Sequence, residues 1–389
     1  MPVEVRPVSS RRDLSAFIRL PFALYDGEPR WVPPLIFERR RFLDRSRNPF
    51  FEHGEAEYFL ARRDGRAVGR ITAQVDHALN EFQGENCGLF GFFESEGDGE
   101  VATALLGAAE TWLRERGCER VVGPMDFSLR AGCGLLVDGF DRDPVVLANW
   151  THPYYQQLLE SAGYTKAVDM LMWELHVSDR GPIHPATRLP ARDEATAHTT
   201  GETAPQARRE AGPDITVRHM RKRALRSELE RFREVYNAAW TRNWGFVPLG
   251  EAEVRHYAKV LRPVLDEDWA WVAETNQGEA VGVALAMLDY NQVLKRMGGR
   301  LLPFGWLKLL LGRRRIDRIR VFALGVKPDY QHAGIASRFY KELFETALRR
   351  RITRWEMGWI LEVNESMSRF VDGAGGRVGS RYRLYQRTL

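Results

Sequence analysis

Cysteine is scarce. Cys87, Cys118 and Cys133 are the three in 389 residues, and no two stand at Cys-x-x-Cys spacing. A disulfide-stapled scaffold and a paired-cysteine zinc site are thereby excluded, and reduced thiols acting as small buried hydrophobes in a cytoplasmic protein are expected, with no metal. Long apolar runs are missing too. None approaches the roughly twenty residues of a membrane-spanning helix, and the opening Met1-Pro2-Val3-Glu4-Val5-Arg6 has no apolar core of a secretory signal. RNP, zinc-finger and basic-zipper patterns are absent. Lys plus Arg exceed Asp plus Glu by 57 to 52, a net charge of +5. That balance suits an anionic cofactor or an anionic lipid, and with no motif beside it nucleic acid is not an expected partner. What remains is an ordinary globular composition, 44% apolar and 28% charged, on a chain long enough for two domains.

Against those absences, residues 320–351 carry a dense local signal. Val321-Phe322-Ala323-Leu324-Gly325-Val326 is an apolar run of strand length that must stop at Pro328, which has no N–H for a ladder. Beyond a polar turn, Gln331-His332-Ala333-Gly334-Ile335-Ala336 opens a helix whose Ile335, Phe339, Leu343 and Ala347 recur every four residues and make one buried face. Arg349, Arg350 and Arg351 suit the negative end of its dipole. Strand, turn, and a helix with Gly at its start can cradle a phosphate. The first N–H groups point out of the helix, and Gly lets an anion come close. No Gly-Lys-Ser/Thr follows and the GxGxxG spacing is absent, so neither a nucleoside triphosphate loop nor a dinucleotide loop is present.

The same order of elements is predicted earlier in the chain. Asp64-Gly65 between two apolar runs is a hairpin signal. A strand at 87–93, a helix over 101–116 with Leu105, Ala108, Ala109 and Trp112 on one face, and a strand from Arg120 follow. A helix at 153–162 and a strand over 170–177 complete this copy. Residues 178–214, rich in Pro, Ala, Thr, Gly and charge, bury too little to offset their ordering entropy and read as a linker. Ile215-Thr216-Val217-Arg218 restarts the pattern, with a helix over 225–240, strands at 269–274 and 280–288, and a last strand at 382–387. The expected organisation is an α/β chain of two related units, 1–177 and 215–389, with mixed central sheets flanked by helices. In the first unit the strand–helix turn holds Glu94, Glu96, Asp98 and Glu100, four carboxylates that would repel a pyrophosphate, so only the second unit is expected to bind one.

Val326, Pro328, Gln331, Gly334 and Ala336 match, position by position, the acyl-CoA pyrophosphate loop of the GNAT acyltransferases, which this stretch resembles. Two further blocks resemble a bacterial family of double-GNAT proteins, some of which are implicated as ceramide synthases that N-acylate a sphingoid base. These are Gly123-Pro124-Met125-Asp126-Phe127-Ser128 with Cys133-Gly134-Leu135-Leu136, and Trp359-Ile360-Leu361-Glu362-Val363-Asn364 with Tyr382-Arg383-Leu384-Tyr385. The resemblance implies a tandem GNAT fold and an acyl-CoA or acetyl-CoA donor. Its loop would be held by Leu324, Gly325, Val326, Gln331, His332, Ala333, Gly334, Ile335, Ala336 and Ser337. The acceptor would be a small-molecule or lipidic amine. Two departures stand out. Arg130-Ala131-Gly132 replaces an expected Asn-Asp-Glu, and Val371, beside Phe370, stands where many GNAT enzymes have a Tyr acid.

Acyl transfer to an amine also needs a base and an oxyanion donor. Glu362, just after a predicted strand beside the loop, is a candidate base, with a salt-bridged surface Glu as its bland alternative, and Glu356 shares that strand. Asn364 is either a pantetheine contact or a helix cap. His152, next to Tyr154 and Tyr155, offers an imidazole that titrates near neutrality and a phenol acid, or plain packing and a capping bond. The insertion 293–315, dense in Leu, Phe and Trp and ending in Arg313-Arg314-Arg315, reads as a peripheral contact with an anionic inner-membrane surface, a lid over an acyl chain, or core between the units.

Overall fold

The computed structural model describes residues 2–177 and 214–389, so the linker expected at 178–214 lies, Asp214 apart, outside the described residues. The first half forms β1 (Glu4–Pro7), α1 (Arg11–Leu24), α2 (Ile36–Phe42), β2 (Gly54–Arg63), β3 (Arg66–Asp76), α3 (His77–Gln83) and β4 (Cys87–Ser95). It continues with α4 (Gly99–Arg114), β5 (Arg120–Gly123), β6 (Leu135–Asp138), α5 (Tyr154–Ser161) and β7 (Thr165–His176). The second half forms β8 (Ile215–His219), α6 (Leu225–Ala239), α7 (Glu251–Leu261), β9 (Ala270–Thr275), β10 (Ala280–Leu288) and α8 (Asn291–Leu294). Then come α9 (Gly305–Gly312), β11 (Arg318–Val326), α10 (Ile335–Arg350), β12 (Arg354–Leu361), α11 (Glu365–Gly373) and β13 (Arg377–Thr388).

Local chemistry explains most of these boundaries. Asp64 and Gly65 both take positive φ, 54° and 76°, as a two-residue hairpin of that composition requires. Ser10 caps α1 by accepting from the Asp13 N–H at 3.0 Å. β11 ends at Val326, two residues before Pro328. On α10, Ile335, Phe339, Leu343 and Ala347 are all fully buried, so the fourfold spacing did mark the inner face.

The α/β class holds, and the sheets of the two halves join into one mixed sheet. Its order is β1-β2-β3-β4-β5-β13-β7-β12-β11-β10-β9-β8, with β6 attached to β13. The closing strand of each half enters the other: β13 pairs with β5, and β7 pairs with β12. Between them β7 and β13 run antiparallel from Arg377 opposite Glu174 to Gln386 opposite Thr165. Asp169, buried on β7, accepts from Arg383 at 2.8 Å and from Arg381 at 3.2 Å, so the seam also carries charge-assisted bonds. Both strands run longer than their apolar patterns predicted, and all of their ladder partners lie in the other half of the chain.

Candidate active site

Two parallel strand pairs lie in the sheet, one per half, and they behave differently. In the second half β11 pairs with β12 only from Arg318–Arg354 to Val321–Met357. Beyond that the strands part, and the gap is a cleft. Residues 321–326 form one wall and residues 357–361 the other, with Trp240 and Asn243 from the end of α6 and Gln331, Ala336, Asn364, Ser366, Met367 and Phe370 around the rim. The walls are apolar, and among the lining residues there is no Asp, Glu, His, Lys, Arg, Tyr or Cys. Gly325 is needed for close approach. A Cβ there would lie 2.0 Å from the Trp240 ring, so the indole rests directly on the strand backbone.

The loop after β11 opens at the cleft. Residues 328–333 make a 3-10 turn, Gly334 takes a left-handed φ of 72°, and α10 begins at Ile335. That left-handed step is why the α-helix starts here and not at Gln331, where its pattern first appears. The N-cap carries no side-chain hydrogen bond, and nothing lies within 4 Å of where a Gly334 Cβ would sit. The first N–H groups of a helix have no intrahelical partner, so an uncapped end beside open space fits an anion. Ile335 faces the core against Gly282 and offers only its backbone. His332, Ala333 and Gly334 are exposed, and Ser337 is half-buried.

The matching gap in the first half is closed. β4 and β5 pair from Cys87–Arg120 to Leu89–Val122, and the chain then stays zipped. Met125 N–H donates to the Phe90 carbonyl at 2.7 Å, and Phe92 N–H donates to Asp126 Oδ1 at 2.8 Å. Only three residues, 96–98, join β4 to α4, against eight, 327–334, between β11 and α10. Asp98 itself caps α4, accepting from Glu100 N–H at 2.8 Å. The carboxylates there are not a repulsive cluster, as the sequence suggested. Arg63 pairs with Asp98 and Glu100, Arg66 pairs with Glu96, and half-buried Glu94 accepts from the Tyr25 and Tyr155 hydroxyls, both at 2.7 Å. A short turn and a self-capped helix leave no cradle.

Leu324, Gly325, Val326, Gln331, Ala336 and Asn364 thus line one cleft, and His332, Ala333, Gly334, Ile335 and Ser337 belong to the turn and helix start between Gln331 and Ala336 and just beyond, whereas Glu362, His152 and Tyr154 are engaged elsewhere. Asn364 sits at the rim, and its Oδ1 caps α11, accepting from Met367 N–H at 3.2 Å, which is the helix-cap reading of it. Glu362 turns toward β7, accepting from Asp169 N–H at 3.0 Å and from Lys166 at 2.7 Å. His152 belongs to the first half. Its Nε2 bonds the Leu24 carbonyl at 3.1 Å, and its ring stacks between Tyr25 and Tyr154 at 4.6 and 5.0 Å. Tyr154 donates to the Ser95 carbonyl at 2.9 Å. Glu356 is half-buried on β12, where desolvation pushes its carboxyl up to about 7 against the pull of Arg318. Arg130, the departure from the expected acidic triplet, ties the first half to Glu253 on α7 and to the Tyr236 hydroxyl. Trp240 and Asn243 escaped sequence reasoning. The signal was there in Phe232, Tyr236 and Trp240, spaced by four on α6 and stacked at 5.8 and 5.1 Å.

Comparison with known proteins agrees with this geometry. The acetyltransferase (GNAT) family model matches residues 229–371, the cleft and loop included. A bacterial ceramide synthase from Caulobacter vibrioides (strain NA1000 / CB15N) is 35% identical over 394 residues, spanning 100% of this chain and 98% of that protein. Protein YghO of Escherichia coli (strain K12) is 32% identical over 391 residues, spanning 99% and 95%. The chain belongs to the GNAT acetyltransferase family. Its tandem form is matched by a tandem GNAT protein from the clavulanic acid biosynthesis pathway, solved without AcCoA, with a TM-score of 0.56 at 13% identity over 99% of this chain and 98% of that one. A GCN5-related N-acetyltransferase from Sphaerobacter thermophilus superposes with a TM-score of 0.51 at 15% identity, over 99% and 95%. These two likenesses speak for the fold. GNAT proteins draw on acetyl-CoA or another acyl-CoA, and the uncapped α10 end beside an open cleft fits such a donor.

Proposed function

We propose that this GNAT protein is an acyl-CoA-dependent N-acyltransferase that joins an acyl chain to a lipidic amine, with the donor held by the second half. The observation that carries the proposal is the parting of β11 from β12 beside the uncapped, glycine-opened end of α10. The donor, when bound, supplies an activated acyl carbon. The N–H groups at 334–337 would hold its pyrophosphate, and the edge of β11 at Leu324, Gly325 and Val326, free of β12 there, would take its arm. Phe322, Leu324, Met357, Ile360 and Leu361 make the cleft apolar, while Asn243, Gln331, Asn364 and Ser366 are its polar side chains. With no titratable side chain along the walls, the acceptor amine would pass its proton to solvent at the mouth. Apolar walls and the ceramide synthase relative both support a long acyl chain and a sphingoid-base-like acceptor. The test is thiol release from acyl-CoAs of rising chain length with a sphingoid base, an amino acid and a polyamine as acceptors. Release with the lipidic amine alone, lost in Gly334→Glu, is expected. Preference for a small amine with acetyl-CoA would overturn the lipid assignment.

A second function, a catalytically silent acyl-CoA sensor, is favoured by the same bare cleft, which brings no acid or base to the reacting atoms. Acyl-CoA binding without thiol release for any acceptor would select it.

A further inference from the structure

Residues 291–315 divide in two in the fold. Val293 and Met297 are buried, which fits core between the halves, and none of the segment lines the cleft, which leaves the lid without support. Residues 302–311 do the opposite of core. Leu302 is 74% exposed, Phe304 68%, Trp306 50%, Leu310 63% and Leu311 62%, with Leu307 at 38%. Six of the large apolar side chains that reach solvent among the described residues therefore sit in ten consecutive positions. On α9 they are ordered. At about 100° per residue, Trp306, Leu310, Leu307 and Leu311 fall within an arc of about 140°, and this arc faces out. The inward side is made by Gly305 and Gly312. A Cβ on the first would meet the Arg300 carbonyl at 2.3 Å, and on the second Val293 at 2.8 Å. Two glycines thus seat the helix tightly with its oily face to water, the reverse of an ordinary surface helix.

The charge around this face has one sign. Residues 291–315 contain seven basic side chains, Lys295, Arg296, Arg300, Lys308, Arg313, Arg314 and Arg315, and no acidic one. Lys295 pairs with Asp143 and Arg313 with Asp266, and among the described residues the other five form no ion pair. Residues 178–213 have only Ile183 and Leu189 as large apolar side chains, too few to cover the patch. At eight residues α9 is about 12 Å long, far short of a bilayer crossing. We infer that 302–315 is an interfacial anchor that inserts Leu302, Phe304, Trp306, Leu307, Leu310 and Leu311 into the surface of an anionic bilayer, with Arg314, Arg315, Lys308 and Arg300 at the headgroups.

Flotation of the full chain with phosphatidylcholine vesicles, with and without phosphatidylglycerol, tests this. Binding to the anionic vesicles is expected to exceed that to the neutral ones by about tenfold and to weaken with salt. Leu307→Glu/Leu310→Glu and Arg314→Glu/Arg315→Glu should each reduce it by about tenfold with unchanged melting. Arg11→Glu/Arg12→Glu on α1, an equal change in net charge elsewhere, should leave it intact. If the leucine pair melts early, Trp306→Ser probes the same face. No binding to anionic vesicles at low salt, equal loss in the α1 variant, or full binding by the leucine variant would overturn the anchor. So would a concentration-dependent dimer abolished by the leucine pair while vesicle binding persists, which would make a second copy the occupant. Thiol release from a short-chain donor, read in parallel, keeps failure of the anchor distinct from failure of the proposed acyl transfer.

Discussion

The indole of Trp240 lies on the backbone of Gly325, so close that a methyl group at that glycine would fall 2.0 Å from the ring. Gly325→Ala must therefore push Trp240 into the cleft or shift β11. Overpacking of this kind costs about 1–3 kcal/mol, and donor affinity should drop by tenfold or more. Trp240→Ala removes the obstruction and widens the cleft beside the strand. Its expected signature is a shift in chain-length preference toward longer or bulkier acyl-CoAs, read by competitive thiol release.

Gly334 separates a backbone role from a ligand role. Its φ of 72° costs a non-glycine residue about 1 kcal/mol, so Gly334→Ala should lower stability by that amount and keep most CoA binding. Gly334→Glu pays the same backbone cost, and its carboxylate suits the positive end of α10 in the free protein. It should melt close to the alanine variant and yet lose the thermal stabilisation that CoA gives. Equal CoA response in both variants would remove the pyrophosphate from this loop.

The first half provides a further check, because its gap is zipped by Met125 and Asp126 and its α4 end is capped by Asp98. Titration calorimetry with CoA should give one site per chain. Asp98→Ala frees the α4 end and costs about 1 kcal/mol, and it should not create a second site, since a three-residue turn cannot wrap a pyrophosphate.

How far sequence carried the reading depends on where each partner lies. The loop and α10 were legible because their signals are local: Pro328 ends the strand, Gly334 turns the chain, and a fourfold apolar spacing buries one face. The exchange of β7 and β13 was invisible. Neither strand's pattern says that its ladder lies in the other half, and the apolar run at 170–177 showed only the most buried part of β7. His152 and Glu362 looked like bases because their side chains can be bases. Whether they act as such depends on Leu24, Tyr25, Asp169 and Lys166, residues of other elements that occupy them in the fold. Trp240 was missed for the complementary reason. A tryptophan at a helix end carries no chemistry until the fold sets it on Gly325.

Glu356 should leave a pH signature in stability. Arg318 serves two carboxylates, Asp289 at 2.6 Å and Glu356 at 2.7 Å, so Glu356 shares its guanidinium. Burial then holds the Glu356 carboxyl up to about 7, above its ordinary 4.5. Between those two values the folded protein keeps a proton that the unfolded chain releases. The native state binds more protons there, and unfolding free energy falls as pH rises through the window. A shift of this size corresponds to roughly 1–3 kcal/mol after allowance for the shared guanidinium. Glu356→Gln keeps the acceptor oxygen for Arg318 and removes the titration. His53, raised above its ordinary 6.5 by its hydrogen bond to Asp76, adds its own pH dependence, so the informative quantity is the difference between the two denaturation series. The glutamine variant should match wild type near pH 4.5 and be the more stable by roughly that amount at pH 8. Parallel curves would mean that Arg318 keeps both carboxylates ionised and that no proton is stored at this seam.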